Sequence, residues 1–186
     1  VRLTIKGDAP IEELDVVLEF DVAEERILDG SVVLKQASNG LEATAKLFGP
    51  LANVLPVQHR DFFGAQSSLN TKILFRTRGG FEIEFANLDS GALQIASTAA
   101  STQDGFLSAL TVRGELASKS GDRVSLPSAN GDQSLNAAQF KIDYDGLKFD
   151  RWASTLNIDG ISIAKNQIDN INLSASGRVL NLRNPD

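Results

Sequence analysis

Residues 156–177 read LNIDGISIAKNQIDNINLSASG. Apolar and polar residues alternate almost one for one, pause at Gly or Asn, and alternate again. Leu156, Ile158, Ile161, Ile163, Ile171 and Leu173 carry the apolar beat. A period of two is the spacing of a half-buried strand, because successive side chains point to opposite faces of a sheet. None of these residues is a catalytic group. The stretch predicts one-sided strands and no reaction.

The same texture extends outward over most of the chain. ELDVVLEFDV places Leu14, Val16, Leu18, Phe20 and Val22 together, with Asp15, Glu19 and Asp21 opposite. LEATAKL groups Leu41, Ala43, Ala45 and Leu47. SLNTKILF groups Leu69, Thr71, Ile73 and Phe75, and FEIEF sets Phe81, Ile83 and Phe85 against Glu82 and Glu84. Leu93 with Ile95, Leu110 with Val112 and Leu116, and Phe140 with Ile142 and Tyr144, then Leu147 and Phe149, continue the pattern. Turn chemistry separates the runs: SNG at 38–40, RGG at 78–80, DSG at 89–91, QDG at 103–105, SGD at 120–122, NGD at 130–132, YDG at 144–146 and IDG at 158–160. Each offers Gly, Asn or Asp where φ must turn positive. Connections this short make hairpins and not helical crossovers, so an antiparallel meander of about 12 strands is expected. One segment departs from it. In FGPLANVLPVQHRDFFGA, Pro56 can open a helix and Gly64 can close one, which predicts a short helix near 50–63.

Composition narrows the function. Of 186 residues, 42% are hydrophobic, enough to line a core or groove, and the texture is uniform, so one continuous unit over 1–186 is expected. Formal charge is −6, and the 18 Lys and Arg form no run, which argues against a nucleic-acid partner. With no Cys, disulfides, thiolate metal sites and Cys nucleophiles are excluded. No signal peptide or membrane-spanning run is visible, and the start at Val1 suggests a piece of a larger protein.

Candidate chemistry fares poorly against plainer readings. His59 is the only histidine, so a Ser-His-Asp catalyst would need it, but no GxSxG elbow accompanies it. A surface or helix-packing His is the plainer reading. DYDG at 143–146 starts like a calcium loop, yet the third acid and the closing Glu are missing. Asp143 and Asp145 then read as a solvated strand face ending in a turn. The neighbouring acids Glu12–Glu13 and Glu24–Glu25 point to opposite faces on a strand and cannot pair for acid–base work. No metal or cofactor is expected, and no enzyme.

What remains is a long sheet with one apolar face that must be covered by something. A second sheet would make a sandwich and closure would make a barrel. A curled, open trough would leave an apolar floor for acyl chains. The floor residues expected on strand parity are Leu69, Ile73, Phe75, Phe81, Ile83, Phe85, Leu93, Ile95, Leu110, Val112, Phe140, Ile142, Leu156, Ile158, Ile171 and Leu173, with small Ala43, Ala45 and Ala175 keeping space open.

ANVLPVQHRDFFGAQSSLNTKILFR, SGALQIASTAASTQDGFLSALTVRGELA and the closing LNIDGISIAKNQIDNINLSASGRV together resemble the TamB family, the translocation-and-assembly-module branch of the AsmA-like superfamily. The likeness rests on Leu55, Pro56, Arg60, Phe62, Phe63 and Gly64, a helix-like element between meander strands, and covers about 1–180. It implies a taco-like curled sheet with an apolar interior, in the periplasm, with the parent anchored in the inner membrane. It further implies a part in inter-membrane phospholipid transport or in outer-membrane protein assembly and secretion. Phospholipid acyl chains and adjacent repeats of the same chain are the implied partners; a TamA-type barrel would meet other regions of the parent. Two other functions fit the same strands: a module that captures strands at an exposed β-edge, and a packed structural spacer.

Overall fold

A computed structural model describes residues 2–7, 13–126, 133–148 and 150–179. The expected NGD turn at 130–132, Phe149 and Glu12 lie outside the described residues. The strands are β1 Arg2–Gly7, β2 Glu13–Val22, β3 Glu25–Ala37, β4 Gly40–Gly49, β5 Ser67–Arg76, β6 Phe81–Asp89, β7 Leu93–Ser101, β8 Leu107–Ala117, β9 Val124–Ser125, β10 Gln133–Leu135, β11 Ala137–Asp145, β12 Arg151–Ile163 and β13 Asn166–Arg178. All 13 belong to one sheet, and every pairing is antiparallel. The sheet is not closed: β1 pairs only with β2 and β13 only with β12. The expected all-β meander, open and curled, is the observed architecture. The chain exposes 11,882 Å², whereas a compact monomer of 19.9 kDa exposes about 8,700 Å². An open sheet explains the excess.

The predicted helix is two pieces. A 3₁₀ turn at Leu51–Val54 leads to α1, Val57–Phe63. Pro56 stands at the N-cap, and Gly64 ends α1 at φ +58 with its N–H donating to the Arg60 carbonyl at 2.8 Å. Gly64 also packs backbone to backbone on Gly91, whose N–H donates to the Phe63 carbonyl at 2.9 Å. Both contacts need the missing side chains, and they hold the helix on the rim where β6 passes into β7.

Five of the predicted turns are hairpin connections, but SGD at 120–122 leads from β8 to β9, which do not pair with each other, and IDG at 158–160 is no turn at all. β12 runs straight through it, with Gly160 at φ +58 in mid-strand. Here β12 leaves β11, which pairs up to Asp159, and takes up β10 at Ser162 and Ile163. The glycine supplies a bend and no reversal. The chain turns instead at Ala164–Lys165, and the β2–β3 hairpin turns on Ala23 and Glu24, at φ 50 and 68. These residues carry no turn signature; the flanking ladders impose the conformation.

The tightly packed core is small and sits at one end. Ala92, Leu116, Val124, Leu135 and Ala138 are buried together, with Leu93, Leu126, Ile158 and Ile161 against them. Val124 and Leu135 belong to β9 and β10, a short strap that folds over the apolar side of β7, β8, β11 and β12. Arg123 fastens it. Its Nε donates to Ser134 Oγ at 3.0 Å, Nη1 to Asn136 Oδ1 at 2.7 Å, and Nη2 to the carbonyls of Ser134 and Gly160.

Candidate functional site

The apolar face is assembled by register. Leu14, Leu34, Ala43, Ile73, Ile83, Ala99, Leu110, Tyr144 and Trp152 lie opposite one another from β2 to β12. A parallel row runs Leu18, Gly30, Leu47, Leu69, Leu88, Ile95, Gly114, Phe140, Leu156 and Leu173. Between them lies a row of smaller side chains, with Ala45, Thr71, Ala86, Ser97, Ser154 and Ala175 among Val112 and Ile142. Two bulky rows thus flank a shallower band that crosses the strands. In the third row, Gly114 lies under the Phe140 ring, which a side chain there would displace.

Of the predicted floor residues, all but Phe85 share this face. Leu69, Ile73, Phe75, Phe81, Ile83, Ile95, Leu110, Val112, Phe140, Ile142, Leu156 and Leu173 lie in the three rows or beside them, and Leu93, Ile158 and Ile171 form a fourth at the strap end. Phe85 is carried to the other side by bulges in β6, which place it opposite Lys72. The Lys72 ammonium is on the charged face, 2.8 Å from Glu84 and 3.2 Å from Glu42. Strict alternation from Ile83 cannot anticipate a bulge. The register also adds residues that the sequence reading left out, Leu34, Leu88 and Trp152, and brings Tyr144, which alternation set beside Phe140 and Ile142, into the floor. Counting back by twos from Leu156 through Ser154 would have reached Trp152.

Among the described residues, no second layer covers most of this face. Phe75 is 49% exposed, Ile142 39% and Leu173 55%, against 8% for Leu116 under the strap. The opposite face is polar and laced with cross-strand ion pairs, such as Arg76–Glu82 at 2.7 Å. Such exposed pairs each add little stability, but they hold that side in water.

The other candidates do not gather into a site. His59 is half-buried on α1. Asp143 sits 2.6 Å from Lys141 and accepts from Thr111 Oγ1. Asp145 Oδ1 caps the turn, accepting from the N–H groups of Leu147 and Lys148 at 3.1 and 3.0 Å. Among the described residues, no group of three or more His, Asp or Glu converges as metal ligands. Nor is any helix long and apolar enough to cross a membrane.

No family model, curated protein or solved structure matches the chain.

Proposed function

We propose that this chain is a segment of a TamB-like envelope protein whose apolar face carries phospholipid acyl chains between membranes, or scaffolds outer-membrane protein assembly, in the periplasm. One observation supports the reading most: an apolar face that crosses ten strands in register is left half-exposed by the protein itself. An acyl chain of about 16 methylenes resists entering water by roughly 13 kcal/mol, at about 0.8 kcal/mol per methylene. A floor of Leu, Ile and Phe running across the strands removes most of that barrier. Passage along it needs no covalent step and no cofactor.

The test is organic extraction and mass spectrometry of the protein purified from a bacterial periplasm without detergent. The account expects near-stoichiometric phospholipid, lost in Ile142→Glu and Leu173→Glu. Both side chains are exposed on the face, so the charge should leave the fold intact. Ile158→Glu is a poor probe, because Ile158 packs on the strap core and a charge there would unfold that end. Folded wild type free of lipid would count against the reading.

A second reading, strand capture by β-augmentation, is favoured by β13. It is a 13-residue edge strand with no Pro and no Lys, the usual devices that blunt an edge. Lipid-free protein that binds alternating apolar peptides in register with β13 would bring this reading forward.

A further inference from the structure

The polar face has its own organisation on β7 to β12. Gln94, Glu115, Gln139 and Asn157 lie opposite one another in one row. Arg113 and Lys141 stand in the next row, with only Ala96 beside Arg113 on β7. A depression of about 520 Å³ opens over these rows, bordered on β6 by Asn87 and Asp89 and reaching Leu88, Ile95, Gly114 and Phe140 of the apolar row between the polar side chains.

Three features set this depression apart from a merely solvated strand face. Among the described residues, no hydrogen bond or ion pair engages the side chains of Gln94, Arg113, Glu115, Gln139 or Asn157, while Lys72 and Arg76 on the same face are each paired. Arg113 lies directly opposite Lys141, an unfavourable like-charge pairing across a ladder. Lys141 resolves it by turning to Asp143, which leaves the guanidinium directed to solvent. Finally, the bulged strand β6 delivers Phe85, a half-buried aromatic, to this face. It borders a second depression of about 110 Å³ that shares Ala96 and Arg113 with the first.

The chemistry defines an occupant. Carboxamides offer donors and acceptors together, as sugar hydroxyls require. One unpartnered cation and one unpartnered carboxylate balance, so a polyanion gains no net attraction, and the chain's charge of −6 opposes one. Phe85 can meet the apolar face of a sugar ring. The polar rows cross strands about 4.8 Å apart, close to the repeat of one sugar in an extended β-linked chain. We propose that this depression is a cleft for a neutral β-linked glycan lying across β6, β7, β8, β11 and β12. The proposal is independent of the acyl-chain reading, which uses the other face.

The test is titration of the ¹⁵N-labelled protein with chitohexaose and, separately, cellohexaose, followed by amide chemical shifts. Saturable shifts confined to β6, β7, β8, β11 and β12 are expected, with at least tenfold weaker binding in Gln139→Ala and in Arg113→Ala. Side-chain exposure at both positions keeps the variants folded. Ile142→Glu, on the opposite face, should bind the sugars as the wild type does. Absence of saturable shifts at millimolar concentrations of either sugar would overturn the proposal. Binding indifferent to both substitutions, or inorganic phosphate displacing the sugar, would overturn it as well.

Discussion

Gly160 takes φ +58 in the middle of a strand, and a Cβ at that position would collide with the Asn136 carboxamide. Gly160→Ala therefore combines a left-handed backbone cost with a clash. Thermal or denaturant unfolding should show a loss of about 1–3 kcal/mol. In the sequence the same glycine reads as a hairpin turn, since Asp-Gly serves both uses; only the change of ladder partner at this residue separates them. Phe85 fails for a related reason, since a bulge leaves no mark in the alternation. Ala23–Glu24 and Ala164–Lys165 turn without turn residues, so nothing local could reveal them. Asp145 gives a pH-dependent prediction. Desolvation pushes its carboxyl up, but the Lys148 N–H, the Lys148 ammonium and the Leu147 N–H outweigh it and hold the pKa below its usual value of 3.8. A carboxyl depressed in the folded state stabilises above its unfolded pKa and loses that contribution as pH falls through the lower folded value. Amide protection at Leu147 and Lys148 should accordingly be steady above about pH 5 and decline below about pH 4. Protection unchanged down to pH 2 would contradict the cap.

At the scale of elements, the strap of β9 and β10 stays hydrogen-bonded to β12 yet packs its apolar residues on the face of β7, β8, β11 and β12. Val124 and Leu135 are each 3% exposed, and Arg123 ties both strap strands to β12. Arg123→Ala should cost about 1–3 kcal/mol. Hydrogen exchange should quicken at 124–125 and 133–135 while β3 to β5 keep their protection. Leu135→Ala, which leaves a cavity against Leu116 and Ala138, should cost more, about 2–5 kcal/mol. Uniform loosening of the whole sheet in either variant would show that the strap is not a local unit. Strands with clean alternation, such as β2 and β13, were legible in the sequence. β3 was not: Leu28, Val32, Val33 and Leu34 put apolar residues on both faces, and Gly30 interrupts the beat. The strap was illegible for a different reason. Its strands are two and three residues long, too short to express any period.

At the scale of the whole molecule, parity assigns each strand one apolar face, but it cannot say whether those faces align. Alignment is a property of register, and here the ladders bring the apolar sides of successive strands into continuous rows that, among the described residues, only the strap covers, at one end. That continuity makes the face a candidate path for acyl chains. Trp152, the only tryptophan, stands on it. Its indole leans over Gly177 of β13, and Tyr144 lies opposite on β11. The most direct test uses this residue: quenching of Trp152 fluorescence by phosphatidylcholine with brominated acyl chains, against the same lipid unbrominated. Strong quenching in the wild type, greatly reduced in folded Ile142→Glu, is the predicted result. Unquenched Trp152 in protein that carries stoichiometric brominated lipid would place the lipid elsewhere and contradict the account.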